Sequence, residues 1–135
     1  MSPGPVSPAR VGDQLPELVV PLTRTLIVST AIASRDYQDV HHDPALAVER
    51  GSPDIFMNIL TTNGFVGRFV TDWAGPDAVI KKVSIRLGAP NYPGDTMTMR
   101  GEVTAVDEGG VATVSVVGSN SLGDHVTGTV EVALP

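Results

Sequence analysis

The stretch Ser52–Pro76, SPDIFMNILTTNGFVGRFVTDWAGP, decides the fold of this chain. Ser52 is a favoured N-cap residue, and Pro53 suits the first position of a helix. Gly75 followed by Pro76 is a common helix end. A helix that is apolar on most sides has to be enclosed rather than laid on a surface. The sequence therefore predicts one long, buried helix, whose apolar residues are Ile55, Phe56, Ile59, Leu60, Phe65, Val66, Phe69, Val70 and Trp73.

The composition limits the class of protein. A chain of 135 residues is enough for one domain with a buried core. Its net charge of −6 and pI of about 4.8 make nucleic acid and anionic membranes poor partners. The absence of cysteine excludes a disulfide scaffold and thiolate metal sites. Because no signal-peptide core and no apolar run near the ~18 residues of a membrane span is visible, we expect a cytoplasmic protein.

The regions on either side of the helix predict an α+β domain. Residues 1–11 are rich in Pro, Gly and Ser and are predicted to form a disordered tail, with the folded domain over residues 12–135. Before the long helix we expect a short edge strand, then a strand end running into a short helix, then a second short helix, over residues 18–22, 25–34 and 44–51. After it, period-two alternation predicts four antiparallel strands, over residues 78–87, 96–106, 111–117 and 125–134.

These elements together suggest a particular architecture. A curved antiparallel sheet wrapped around one long central helix is the hot-dog fold. A roll with the helix on one face only is the alternative. Because one sheet rarely covers such a helix on every side, two hot-dog units sharing a sheet edge are the natural completion.

Titratable groups are concentrated in one loop, Arg35–Pro44, RDYQDVHHDP. Asp36 and His41 can hold one water molecule between a carboxylate and an imidazole, the groups of general acid–base catalysis. A solvated surface loop has the same composition. His41, His42 and Asp43 are also ligand types for a divalent metal, although neighbouring residues in an extended segment point to opposite sides. The residues alone leave these three interpretations open.

The segment DYQDVHHDPALA, residues 36–47, resembles the signature of the MaoC-like (R)-specific enoyl-CoA hydratases, which are hot-dog proteins. The resemblance implies that Asp36 and His41 are the catalytic pair. It also implies that Asp43 and Ala47 support the loop.

Longer segments resemble one subgroup of that family. Gln38 and Asp39 replace the usual Asn and Pro of the motif. The segments VSTAIASRDYQDVHHD, DIFMNILTTNGFVGRFVTDWAGP and VVGSNSLGDHVT are nevertheless similar to the small subunit of actinobacterial steroid side-chain enoyl-CoA hydratases. The resemblance implies hydration of a steroid enoyl-CoA in cholesterol degradation, within a heterotetramer. The larger MaoC-like partner there lacks the Asp/His pair and docks a lipid-transfer-type aldolase. No metal is implied, and no cofactor beyond the CoA carried by the substrate.

The resemblance also indicates substrate-binding groups. In the family a His-Gly pair near the start of the helix provides an amide for the thioester oxyanion. Met57 and Asn58 are found there in this chain, so either backbone amide is a candidate. Asn63, within the helix, is a candidate to line the pocket.

The basic residues form their densest cluster in the first strand after the helix. CoA phosphates favour such a cluster, although a solvated strand face has the same composition; the residues are Lys81, Lys82 and Arg86. Three other functions remain open: a self-sufficient homodimeric (R)-hydratase, a hydroxyacyl dehydratase acting on simple acyl thioesters, and a non-catalytic scaffold subunit.

Overall fold

The computed structural model describes residues 8–135 and contains one antiparallel sheet with a long helix packed against it. Its five strands pair in the order β1-β3-β4-β5-β2. The predicted α+β class is confirmed. None of the helices in the described part of the chain has the length and apolar character needed to cross a membrane. The elements are β1 (Leu18–Pro21), α1 (Arg24–Ala33), a 3-10 turn (Asp39–His41), α2 (Pro44–Glu49), α3 (Ile59–Ala74), β2 (Val79–Leu87), β3 (Thr96–Val106), β4 (Val111–Asn120) and β5 (Gly123–Ala133).

The long helix α3 ends where predicted but begins later. Gly75 caps its end with a φ of 90°. At the other end the predicted N-cap, Ser52, is wrong, because its hydroxyl donates to the carbonyl of Asp54 at 2.7 Å. The N-cap is Asn58, whose side-chain oxygen accepts from the N–H of Thr61 at 3.3 Å.

Long-range hydrogen bonds replace the first predicted turns of α3. The N–H of Phe56 donates to the carbonyl of Val40 at 3.1 Å, and the N–H of Met57 donates to the carbonyl of Asn91 at 3.1 Å. Because these amides have partners outside the helix, residues 52–58 form the connection between α2 and α3, and this connection is hydrogen-bonded to the 3-10 turn before α2.

The helix α1 corrects the expectation of a strand end over residues 25–34. Thr23 caps this helix, and its hydroxyl accepts from the N–H of Leu26 at 3.0 Å. Ile27 and Ala31 are fully buried against the core. Burial of this face therefore outweighs the β-propensity of the Thr-Leu-Ile-Val run.

The core lies between α3 and the sheet. Val66 and Val70 are fully buried, and the ring of Phe69 packs directly onto the backbone of β3. A Cβ atom on Gly101 would lie only 2.7 Å from Cε2 of Phe69, so the glycine makes room for the ring. This contact explains how an apolar helix can lie so close to the strands.

The four long strands are confirmed, with bounds that differ by a few residues from the predicted ones. Among the described strands, β1 is confirmed as an edge strand that pairs only with β3. β2 forms the opposite edge of this sheet and pairs with β5. Its pairing with β5 shifts between Ile80 and Lys82, which leaves Lys81 as the extra residue of a β-bulge.

The predicted tail, residues 1–11, lies partly outside the described residues, which begin at residue 8. From there the chain is already part of the fold. Ala9 is only 7% exposed, and the N–H of Gly12 donates to the carbonyl of Val103 at 2.8 Å. The folded part thus begins before residue 12.

Candidate functional site

The end of α1 positions Asp36. Arg35 has a left-handed backbone with a φ of 57°, which reverses the chain directly after the helix. The N–H of Asp36 then donates to the carbonyl of Ala31 at 2.9 Å. The carboxylate is consequently fixed at the C-terminal end of α1, with its side chain 22% exposed.

His41 faces Asp36 from the 3-10 turn. Its Nε2 atom lies 3.5 Å from Oδ2 of Asp36, and its ring is buried with its edge against Phe56. The Nδ1 atom lies 2.6 Å from the carbonyl oxygen of Phe56. Because a carbonyl only accepts, Nδ1 carries a hydrogen, and Nε2 faces the carboxylate. At this separation one water molecule can hydrogen-bond both groups.

The residues predicted to support the loop lie at the start of α2 and within it. Asp43 caps α2, and its carboxylate accepts from the N–H of Leu46 at 3.1 Å. Ala47 is fully buried and accepts a backbone hydrogen bond from Ser52 at 2.9 Å.

The two positions that depart from the family motif also have structural partners. The N–H of Gln38 donates to Oδ1 of Asp36 at 3.3 Å. Asp39 forms a paired hydrogen bond with the guanidinium of Arg50, at 2.6 and 2.8 Å, which lowers the pKa of Asp39. This ion pair links the 3-10 turn to the end of α2.

Asn58 brings the start of α3 into contact with the pair. Its Nδ2 atom donates to Oδ2 of Asp36 at 3.2 Å and to the hydroxyl of Ser34 at 2.9 Å. Its Oδ1 atom accepts from both the N–H and the hydroxyl of Thr61. These side-chain contacts could not be predicted from the sequence, because their partners are distant along the chain.

The prediction that Met57 donates its amide to an oxyanion is wrong, because that N–H is bonded to the carbonyl of Asn91. Within residues 8–135, the N–H groups of Asn58 and Ile59 donate to no protein group. Asn63 is half-buried on α3 and forms no hydrogen bond with Asp36 or Asn58.

The predicted basic cluster is spread along β2 rather than gathered at the pair. Lys81, in the bulge, Lys82 and Arg86 are all exposed. Arg86 lies at the end of the strand that leads to Gly88, whose N–H donates to the carbonyl of His125 at 2.7 Å.

One buried histidine was not recognised from the sequence. His125, on β5, is 2% exposed and contacts the hydroxyl of Thr62 and the carbonyl of Ala89. The one feature of the sequence that could have indicated a buried histidine is its position in an alternating strand, close to the turn between β4 and β5. Burial lowers the pKa of His125, and the hydrogen bond to Ala89 opposes that shift.

The two adjacent histidines of the loop have different partners. Nε2 of His42 lies 3.1 Å from the carbonyl of Tyr37, whereas His41 faces Asp36. In the described part of the chain, no three His, Asp or Glu side chains converge as a metal site requires.

An apolar groove of about 330 Å³ begins beside the pair, between α1 and α3. Ser34 and Thr61, which both hydrogen-bond the side chain of Asn58, lie in its wall. Its other lining residues are Thr30, Ala33, Leu60, Gly64, Phe65 and Arg68.

Comparisons with known proteins agree with this geometry. A family model described as a MaoC like domain matches residues 8–125. The chain is 60% identical over 124 residues to the 3-oxo-4,17-pregnadiene-20-carboxyl-CoA hydratase beta subunit of Mycobacterium tuberculosis, covering 92% of this chain and 95% of that relative.

Solved structures share the fold. The ChsH1-ChsH2 complex from Mycobacterium tuberculosis contains a chain that matches with a TM-score of 0.91 and 60% identity, covering 93% of this chain and 98% of that one. An (R)-hydratase from A. caviae involved in PHA biosynthesis matches with a TM-score of 0.87 at 23% identity, covering 96% and 100% of the two chains. The predicted hot-dog fold is confirmed by these neighbours. With the family model matching most of its length, the chain belongs to the MaoC-like family.

Proposed function

We propose that this chain is the catalytic subunit of an enoyl-CoA hydratase that adds water to an α,β-unsaturated steroid side-chain acyl-CoA in cholesterol degradation. The observation that carries the proposal is the pair formed by Asp36 and His41, with Oδ2 and Nε2 3.5 Å apart. The relative of 60% identity, named as a pregnadiene-carboxyl-CoA hydratase subunit, supports the substrate class.

The pair supplies the proton transfers of hydration. Asp36 accepts a proton from a water molecule held by both side chains, while the water oxygen forms a bond to the β-carbon of the enoyl thioester. Nε2 of His41 orients that water, because its Nδ1–H is already bonded to Phe56. The pair then returns a proton to the α-carbon, so both side chains finish the reaction as they began it. The same steps in reverse describe dehydration.

The start of α3 is suited to the charge that develops on the thioester oxygen. The N–H groups of Asn58 and Ile59 donate to no group within residues 8–135, and the N-terminal end of a helix favours an anion. We assign the oxyanion contact to these amides in place of Met57. No cofactor beyond the CoA of the substrate takes part in this mechanism.

The groove between α1 and α3 supports an apolar acyl group. It begins at Ser34 and Thr61 and continues along α3 past Gly64 to Arg68. An acyl group whose reactive carbons lie at Asp36 can therefore extend its apolar part into this groove. Lys81, Lys82 and Arg86 remain candidates for the CoA phosphates.

The assembly belongs to the same proposal. We propose a larger MaoC-like partner subunit, as in the ChsH1-ChsH2 complex of the Mycobacterium tuberculosis relative. β2 supports this, because it is a nine-residue edge strand that, within residues 8–135, pairs only with β5 and exposes Val79, Val83 and Leu87. A CoA thioester substrate also fits a cytoplasmic location.

The test is a hydration assay that follows loss of enoyl absorbance with 3-oxo-4,17-pregnadiene-20-carboxyl-CoA as substrate. We expect activity from the two-chain complex. Asp36→Asn or His41→Gln should lower kcat about 10²–10⁴-fold, the usual contribution of a general acid or base. His42→Gln is the matched control and should keep activity, because His42 faces Tyr37 rather than Asp36.

The alternatives predict different outcomes of the same assay. Full activity of the Asp36→Asn complex would identify this chain as a scaffold subunit. Efficient turnover of crotonyl-CoA by this chain alone would indicate a self-sufficient homodimeric hydratase or dehydratase, and the steroid assignment would be wrong.

A further inference from the structure

We infer that Asn58 is a positioning residue that fixes the carboxylate of Asp36 for catalysis, in addition to capping α3. The inference rests on the proposed function for its kinetic consequences. Its structural basis is independent of the substrate.

The side-chain amide of Asn58 can point in only one direction. The N–H of Thr61 can only donate, and it donates to the side-chain oxygen of Asn58 at 3.3 Å. This bond turns the NH₂ group away from the helix. The hydroxyl of Ser34 donates to the carbonyl of Thr30 at 2.7 Å, so its oxygen is left to accept from Nδ2 of Asn58 at 2.9 Å.

The second hydrogen of the same NH₂ group is directed at the catalytic carboxylate. Nδ2 of Asn58 lies 3.2 Å from Oδ2 of Asp36, the same oxygen that lies 3.5 Å from Nε2 of His41. Gln38 holds the other carboxylate oxygen through its N–H. The carboxylate is thus held at both oxygens, and its orientation toward His41 follows from the orientation of Asn58.

Because Asn58 is buried, its hydrogen bond to Asp36 is stronger than one on the protein surface. Asn58 is 1% exposed, so water does not compete for its amide. Other good N-cap residues do not reproduce the arrangement. Serine is too short to reach Asp36, and aspartate would bring a second carboxylate against it.

The experiment separates the capping role from the positioning role. Asn58→Ser keeps a good N-cap, so its Tm should remain close to that of the wild-type protein. Purified with the partner subunit, Asn58→Ser should lower kcat about 10–100-fold with little change in KM, because the carboxylate is misplaced while the substrate contacts remain.

The pH dependence gives a readout that a purely structural role would not change. In Asn58→Asp, a second carboxylate beside Asp36 disfavours the charged pair, so the acid limb of the kcat/KM profile should move to higher pH. Thr23→Ala is the matched control: it removes the cap of α1 without touching Asp36, and it should lower Tm while kcat and the pH profile stay unchanged.

A crystal structure of Asn58→Ser tests the inference without turnover. We expect the carboxylate of Asp36 to turn away from His41. A carboxylate that stays in place, or an Asn58→Ser complex as active as the wild type, would overturn the positioning role while leaving the hydratase proposal intact. If the wild-type complex hydrates no enoyl-CoA but the carboxylate moves, the proposed function fails and the positioning role stands.

Discussion

His125 is a buried imidazole held between two groups under the first turns of α3. Its Nδ1 lies 2.7 Å from the carbonyl of Ala89 and its Nε2 lies 2.8 Å from the hydroxyl of Thr62. Because the carbonyl only accepts, Nδ1 carries the hydrogen and the hydroxyl donates to Nε2 of the neutral ring. His125 therefore links β5 to the helix that carries Asn58.

The lowered pKa of His125 predicts a pH-dependent stability. In the unfolded chain the imidazole of His125 binds a proton near pH 6.5, whereas in the folded chain it does so only at a lower pH. The contribution of His125 is therefore complete above about pH 6.5 and is lost as pH falls toward its folded pKa, by at most ~1.4 kcal/mol per pH unit. Urea unfolding at several pH values between 5 and 7.5 gives the free energy of unfolding at each pH. This free energy should change less steeply with pH for His125→Gln than for the wild type.

A matched substitution controls for the other titrating groups. His42→Gln removes a loop histidine outside this contact, so comparing the two variants separates the effect of the buried ring from the loss of any histidine. If the free energy of unfolding changes equally with pH in the wild type and in His125→Gln, the prediction is wrong.

At the residue scale, the sequence was informative where chemistry depends on neighbours along the chain. Asp36 and His41 could be singled out because both lie in one loop with motif spacing. The role of Asn58 could not, because Ser34 and Asp36 meet it only in the folded protein. The error on Met57 has the same cause, since its amide bonds to Asn91 on another segment.

At the scale of the elements, α3 provides one wall of the groove, and Gly64 leaves part of that wall open. A Cβ atom on Gly64 would meet nothing within 4 Å. Gly64→Leu should therefore stabilise the helix by up to ~1 kcal/mol while filling the groove. We expect KM for the steroid enoyl-CoA to rise about tenfold, which corresponds to ~1.4 kcal/mol of lost binding, with turnover of crotonyl-CoA unchanged.

The same helix offers the control for this variant. Gly67 lies outside the groove, and a Cβ atom there would make an ordinary contact of 3.8 Å with Ile80. Gly67→Ala should raise Tm without changing KM for either substrate. If Gly64→Leu binds the steroid substrate as tightly as the wild type, the groove does not hold the acyl group.

The elements were predictable where local periodicity and burial agree. Alternation of apolar and polar residues located β2 to β5 because each strand buries one face. The start of α3 was misplaced because Ser52 and Pro53 resemble a cap, while contacts with Val40 and Asn91 decide the outcome. α1 was read partly as strand because its burial in the core cannot be seen from propensity alone.

At the scale of the whole molecule, the sheet has an uncovered edge at β2. In the part of the chain that the structure describes, β2 pairs along one side only, and most of its residues are exposed. Long edge strands with exposed apolar residues are usually covered by another chain. The apolar helix predicts that two hot-dog units share a sheet edge. We propose that the exposed edge of β2 is the one that they share.

This location predicts which edge the partner uses. Val83 on β2 is 37% exposed and Val19 on β1, at the opposite edge, is 57% exposed, so a charge at either position should leave the isolated chain folded. Val83→Glu should weaken association with the larger subunit at least about tenfold, because the charge must be desolvated in the interface. Val19→Glu should leave the affinity unchanged in the same analytical ultracentrifugation titration. Hydratase activity should fall with association in Val83→Glu and recover at high subunit concentration. The reverse pattern would place the partner on β1, and equal affinities for both variants would place it on neither edge.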